Sequence, residues 1–146
     1  MNKEVCILIT EDDDGHAMLI QKNLRRAGIS NRITHFHDGQ EILDFLFGQN
    51  AEYKRENDAS YLLLLDIRMP RVDGIEVLRR IKSDDVLRSM PVIMITTTDD
   101  PREIDQCHTL GCNNYITKPV DYHRFVEAIR QLGLFFSIVE IPHLSK

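Results

Sequence analysis

Four places in this chain set a reactive side chain directly behind a short apolar run. Glu11-Asp12-Asp13 follow VCILIT, Asp66 follows YLLLL, Thr96-Thr97 close VIMIT, and Lys118-Pro119 follow NYIT. A carboxylate can attack phosphorus and form an acyl phosphate. Such a transfer asks mainly for positioning and for neutralisation of the phosphoryl oxygens. If Glu11, Asp12 and Asp66 converge, each pair of like charges at about 4 Å costs roughly 4 kcal/mol at an effective dielectric of 20. Lys118 offsets part of that. A hard divalent cation with oxygen ligands offsets the rest, and a few carboxylates with open water positions suit Mg²⁺. Mg²⁺ would bridge nucleophile and phosphoryl oxygen, while Lys118, the Thr96 hydroxyl and the backbone N–H of Thr97 hold the other oxygens.

The bland alternative is that Asp12, Asp13 and Asp14 cap a helix, since acidic side chains favour helix N-termini. Asp13 or Asp14 is expected to do so. Capping leaves Asp66 unexplained, because it ends a run of four leucines, and it leaves Lys118 unexplained too.

These residues need elements that bring them together, and two periodicities alternate along the chain. Apolar, β-branched runs at Val5–Thr10, Arg32–Phe36, Tyr61–Asp66, Val92–Thr96 and Asn114–Thr117 read as strands, the second at an edge and the third most buried. Between them, helical spacing links Ala17, Ile20, Leu24 and Ala27; then Ile42, Leu43, Leu46 and Phe47; then Ile75, Leu78 and Ile81. A helix from Pro101 to Leu110 and one marked by Phe125, Ile129 and Leu132 complete the set. Gly28, Gly48 and Gly111 supply stops. The result is α/β: a (βα)₅, doubly wound, five-stranded parallel sheet with helices on both faces. Ligands of such open sheets sit beyond the carboxyl ends of the strands, at the topological switch point, where the four reactive stretches fall.

Composition narrows the field. At 146 residues the chain holds one domain with a full core, and 28 % charged against 42 % hydrophobic residues is an ordinary globular balance. The net charge of −5 opposes a general affinity for nucleic acid. The basic groups Arg25-Arg26 and Arg79-Arg80 with Lys82 read as solvated helix faces. Three cysteines without C-x-x-C spacing fit a reducing cytoplasm. No apolar stretch is long enough to cross a bilayer, so a cytoplasmic protein is expected. Six histidines (16, 35, 37, 108, 123 and 143) show no metal spacing beside a strand-end acid and are read as surface or packing residues.

Over nearly its whole length the chain resembles the receiver domain of two-component response regulators, through ITEDD, LLLLDIRMPRVDG, PVIMITTT and GCNNYITKPV. The resemblance implies the flavodoxin-like strand order 2-1-3-4-5. It makes Asp66 the phosphoacceptor, Asp12 a direct Mg²⁺ ligand, Glu11 a ligand through water, and the backbone carbonyl of Arg68 a further ligand. Thr96 would be the switch hydroxyl, Lys118 the phosphoryl-binding lysine, and Tyr115 the aromatic that rotates when Thr96 moves. A separate histidine kinase would be the donor, and a histidine phosphotransfer protein a further expected partner.

Two departures from a minimal receiver stand out. Residues 1–132 form the receiver with an insertion at 48–60, read as a long loop, and residues 133–146 form an extension. With TTTDDPREIDQC they resemble the small standalone regulators paired with phytochrome-type kinases. The apolar extension (Leu134, Phe135, Phe136, Ile138, Val139, Ile141) is expected to fold back or to form a homodimer interface, the dimer being favoured. That interface would include the face of helix four, strand five and helix five. With no DNA-binding module visible, the signal is expected to leave by protein contact.

Two rival readings remain. Haloacid-dehalogenase-like phosphohydrolases share the strand-end aspartate, but their D-x-D-x-[TV] motif needs an acid where this chain has Arg68, so a turnover enzyme is not expected. A phosphorylation-independent adaptor would be supported by an incomplete acid pocket, and this one is complete.

Overall fold

A computed structural model describes residues 4–50, 52–118, 121–136 and 138–144. Pro119 of the Lys118-Pro119 strand end, and Ser137, Ser145 and Lys146 of the extension, lie outside the described residues.

The chain runs β1 (Cys6–Thr10), α1 (Asp14–Arg26), β2 (Ile33–Phe36), α2 (Gly39–Leu46), β3 (Tyr61–Leu65), α3 (Gly74–Lys82), a 3₁₀ turn (Leu87–Ser89), β4 (Val92–Thr96), α4 (Pro101–Leu110), β5 (Asn114–Thr117) and α5 (Tyr122–Phe136). All strand pairings are parallel, and the sheet order is β2-β1-β3-β4-β5. The expected fold and order are those observed. The 3₁₀ turn is an addition without apolar period to announce it.

The alternation of side chains along buried strands builds two cores. Leu8, Leu63, Leu65 and Met94 point to the side covered by α2, α3 and α4, where Ile42, Leu43, Leu78, Ile81 and Cys107 meet them. Ile7, Ile9, Leu62, Leu64, Ile93 and Ile95 point to the other side, against Ile20 and Leu24 of α1 and Ile129 and Leu132 of α5. Each fully buried Leu or Ile contributes roughly 1.5–3 kcal/mol by leaving water. The central strands therefore hold the position of everything attached to their ends.

Caps set the helix starts. Asp13 accepts from the His16 N–H (3.0 Å), Asp38 from Glu41 (2.8 Å), Asp73 from Glu76 (2.9 Å) and Asp100 from Arg102 (2.9 Å). Each satisfies a backbone donor that the first turn leaves open. Two glycines permit close approach of backbone. A Cβ at Gly39 would lie 1.9 Å from the Val72 carbonyl oxygen, and one at Gly74 would lie 2.0 Å from that of Asp66.

The two departures from a minimal receiver are both anchored. Arg55 donates from its N–H to the Phe45 carbonyl (3.1 Å) and from Nε to that of Leu46 (3.1 Å), serving carbonyls at the open end of α2. The Tyr53 ring packs tilted against Phe45, with centroids 5.1 Å apart. From the last turn of α5 onward the extension crosses from one core to the other: Phe136, Val139 and Ile141 pack on the α1/α5 side, and Leu144 is fully buried on the opposite side. The Leu144 N–H donates to the Ala59 carbonyl (2.9 Å), and His143 Nδ1 donates to that of Asp58 (2.8 Å). Leu134, Phe135 and Ile138 stay exposed.

Candidate functional site

The parallel ladder delivers three of the key side chains by continuing one residue past the strands. The N–H of Glu11 donates to the Phe36 carbonyl (3.0 Å), that of Asp66 to Thr10 (3.1 Å), and that of Lys118 to Thr96 (2.6 Å). Each residue is thereby held by its neighbour strand at the carboxyl edge of the sheet. The β3–α3 connection closes over Asp66, with the Gly74 N–H donating to the Ile67 carbonyl at 2.9 Å.

One carboxylate oxygen from each of Glu11, Asp12 and Asp66 lies within 4.8 Å of the others. Glu11 is 2 % and Asp66 6 % exposed, whereas Asp12 faces solvent. Lys118, itself 5 % exposed, donates from Nζ to Glu11 and to Asp66 Oδ2, the latter at 3.2 Å. Asp66 Oδ1 accepts from the N–H of Ile67 at 2.7 Å. Burial, with the Asp66 charge beside it, raises the Glu11 carboxyl well above the usual carboxylate range despite the opposing pull of Lys118.

That imbalance answers whether a cation fits. One ammonium faces three converging carboxylates, all donors are hard oxygens, and Asp12 opens the cluster to water. The set fits Mg²⁺ or a similar small divalent ion.

The other expected residues are placed as follows. Thr96 ends β4, next to β3, and is fully buried; its Oγ1 accepts weakly from the Thr98 N–H at 3.4 Å. Thr97 is exposed at the start of the following loop. Tyr115 is half-buried on β5, its hydroxyl donating to the Thr98 carbonyl at 2.7 Å, so it is tied to the loop that Thr96 begins. The Arg68 side chain turns away from the acids and pairs with Glu103 of α4 at 2.9 Å.

Histidines meet acids from other elements at two places. His16 Nδ1 lies 3.3 Å from Lys118 Nζ and 3.6 Å from Glu11 Oε1, at the rim of the acid cluster. His35 and His37 form a second cluster with Asp14. Sequence spacing misses both because the partners come from different elements. The nearest available signal was the i, i+2 pair His35-His37, which a strand places on one side.

Comparison with known proteins agrees with this geometry. A family model of the response regulator receiver domain matches residues 7–130. The probable methanogenesis regulatory protein FilR2 of Methanothrix harundinacea is 36 % identical over 131 residues, 88 % of this chain and 83 % of that protein. A response regulator receiver domain from Rhodospirillum rubrum has a crystal structure with TM-score 0.91 and 48 % identity, covering 97 % of this chain and 99 % of that one. Response regulator Rcp1 of Synechocystis is 31 % identical over 136 residues, 91 % of each chain. Its Mn²⁺-bound form matches with TM-score 0.85 over 94 % of this chain and 98 % of that one. The phosphorylated cyanobacterial phytochrome response regulator RcpA matches with TM-score 0.84 and 29 % identity, covering 94 % and 97 %.

Proposed function

This chain belongs to the response regulator receiver domain family, and we propose that it accepts a phosphoryl group on Asp66 and passes the signal on through protein contacts. The observation that carries the proposal is the convergence of Glu11, Asp12 and Asp66 within 4.8 Å, with the Lys118 ammonium donating to two of them. An Asp66 carboxylate oxygen attacks phosphorus as the bond to the donor breaks, leaving an acyl phosphate. Asp12, Asp66, Glu11 and the Arg68 carbonyl would hold Mg²⁺, which would supply positive charge to offset that gathering on the phosphoryl oxygens. Lys118 holds one phosphoryl oxygen; the Thr96 hydroxyl and the Thr97 N–H take others. The Mn²⁺-bound form of the relative Rcp1 supports a divalent ion here.

The switch follows from added charge. A phosphoryl group brings negative charge and acceptor oxygens to Asp66. Thr96 gives up its contact with Thr98 to reach them, and Tyr115, bonded to the Thr98 carbonyl, follows into the vacated space. The altered face comprises α4, β5 and α5. A groove of about 370 Å³ lined by Tyr115, Ile116, Leu132 and Phe135 lies on it. The exposed Leu134, Phe135 and Ile138 continue it apolar into the extension, and we assign it to a homodimer. A cytoplasmic histidine kinase is the donor, of phytochrome type by analogy with the relative RcpA. A histidine phosphotransfer protein is a further partner, and nucleic acid and membrane are not. Among the described residues, no helix is long and apolar enough to cross a membrane.

We read the chain as a receiver and not as a turnover phosphohydrolase. Two residues beyond the nucleophile stands Arg68, engaged with Glu103, where such an enzyme needs an acid. Slow loss of phosphate from Asp66 then serves as signal decay. The test is intact-mass spectrometry after incubation with acetyl phosphate, with and without Mg²⁺, on the wild type and Asp66→Asn. A single Mg²⁺-dependent adduct absent from the variant is expected. An adduct that persists in Asp66→Asn, or no adduct where Mg²⁺ binding is measured separately, overturns the proposal.

A further inference from the structure

Outside the acid cluster, one group of side chains has the composition of a transition-metal site. Asp14 opens α1, while His35 lies in the edge strand β2 and His37 directly follows it. One carboxylate oxygen of Asp14 and one ring nitrogen of each histidine lie within 4.8 Å of one another. From this juxtaposition we infer that Asp14, His35 and His37 bind a divalent transition-metal ion, of the zinc class, at a site separate from Asp66.

The hydrogen bonds around the group favour ligation. His35 Nε2 lies 2.6 Å from the backbone carbonyl of Glu11. A carbonyl only accepts, so Nε2 donates here and Nδ1 is the ring nitrogen left to take a metal ion. Metal-binding histidines are commonly oriented in this way, through a backbone carbonyl at the other nitrogen. Beside His37 stands a carboxylate: Glu41 Oε1 accepts from the His37 backbone N–H at 2.9 Å and lies 3.6 Å from Nδ1, placing negative charge next to the ring. His37 Nε2 faces Asp14, 3.2 Å from Oδ1. Two ligands bound at about 2.0–2.2 Å to one tetrahedral or octahedral ion stand roughly 3.0–3.5 Å apart, so this pair is already at ligating separation.

The remaining closure is small. Asp14 and His37 are exposed and adjust by side-chain rotation, and Asp14 and His35 also border an open groove along α1 through which an ion enters. Asp14 and Glu41 supply negative charge on two sides of the ion. Two imidazoles and one carboxylate prefer Zn²⁺, Ni²⁺ or Cu²⁺ over Mg²⁺, whereas the all-oxygen acid cluster prefers the harder ion. The two sites are therefore distinguishable by metal.

The alternative occupant of this geometry is a proton: a charged His37 shared between Asp14 and Glu41. Calorimetric titration of ZnCl₂ into untagged full-length protein in excess MgCl₂ separates the two. One equivalent of Zn²⁺ is expected for the wild type and equally for Asp12→Asn. His35→Gln and His37→Gln are expected to bind roughly tenfold or more weakly, and Glu41→Gln, which removes the neighbouring charge, about tenfold more weakly. Circular dichroism without metal checks that each variant is folded. In the wild type, ¹H–¹⁵N spectra of the histidine side chains should show Zn²⁺ shifting His35 Nδ1 and His37 Nε2. No zinc uptake under excess Mg²⁺, wild-type affinity in both histidine variants, or loss of binding in Asp12→Asn would each overturn the inference.

Discussion

Gly74 offers the sharpest test of how the fold holds its nucleophile. A Cβ at this position would stand 2.0 Å from the Asp66 carbonyl oxygen, 2.8 Å from its carbonyl carbon and 2.8 Å from Ile67 Cα. All three are backbone atoms, which cannot rotate away. Relieving the contact in Gly74→Ala therefore opens the β3–α3 connection by about 1.4 Å before ordinary van der Waals separation is reached. Overpacking of this kind costs about 1–3 kcal/mol of stability. The same movement displaces the peptide unit that carries Asp66. A misplacement near 1 Å can slow a positioned reaction roughly a hundredfold, or about 2.7 kcal/mol in the barrier.

The control is Gly48→Ala. Gly48 has φ +70° and no atom within 4 Å of an added Cβ, so the substitution costs about 1–2 kcal/mol in backbone strain far from the strand ends. Urea titration gives the stabilities, and initial rates of adduct formation from acetyl phosphate are compared where both variants are folded. Both should be destabilised, and only Gly74→Ala should be slowed by two orders of magnitude. Equal rates in the two folded variants would refute the argument that this close approach positions Asp66.

Removing the buried ammonium in Lys118→Met leaves Glu11 and Asp66 facing each other uncompensated. A loss of about 3–5 kcal/mol in EDTA, partly recovered in Mg²⁺, is expected in denaturant titrations. Phe136, the last residue of α5, is fully buried in the core shared with α1, so Phe136→Ala should cost about 3–5 kcal/mol and lower the melting temperature, although it belongs to the extension. Burial pushes the Cys107 thiol up to about 12; native protein at mildly alkaline pH should resist alkylation at Cys107 and be labelled there in urea, as peptide mapping will show. For Asp38, burial is outweighed by the Arg71 guanidinium and the Glu41 and Gln40 N–H groups, which hold its carboxyl below the usual range. A depressed carboxyl stabilises the fold above its unfolded-state value and loses that contribution as pH falls through the folded-state value. The stability gap between wild type and Arg71→Ala should thus be present at neutral pH and close below about pH 4; a gap that widens in acid would contradict the sign.

The local signals and the tertiary outcome divide along a physical line. The strands were legible because a strand buried on both faces must be apolar at every position, as in YLLLL and VIMIT, and the helices because one stripe must be apolar. The acids, threonines and Lys118 were legible because chemistry in a parallel sheet gathers at the carboxyl ends of strands, and chain order says which residue follows each strand. Asp13 as the cap of α1 was one of two choices the local pattern left open, and its hydrogen bond to His16 decides between them.

What only the tertiary structure decided involves groups far apart in the chain. His16 of α1 faces Lys118 after β5, and Arg68 after β3 reaches Glu103 of α4, through placements of helix against loop that no local pattern encodes. Asp14 meets His35 and His37 because β2 pairs with β1 in a register that lifts Thr10 beside Phe36. Gly39 and Gly74 are ordinary helix-start glycines in the sequence; only the fold shows a backbone carbonyl standing where their side chains would be. The extension carries enough apolar residues to demand burial, yet its sequence does not say which side of the sheet it covers. The structure divides it, Phe136 to one core and Leu144 to the other. Composition determines that apolar surface is hidden and that charges are compensated. Which partner does the hiding or compensating depends on distances across the fold.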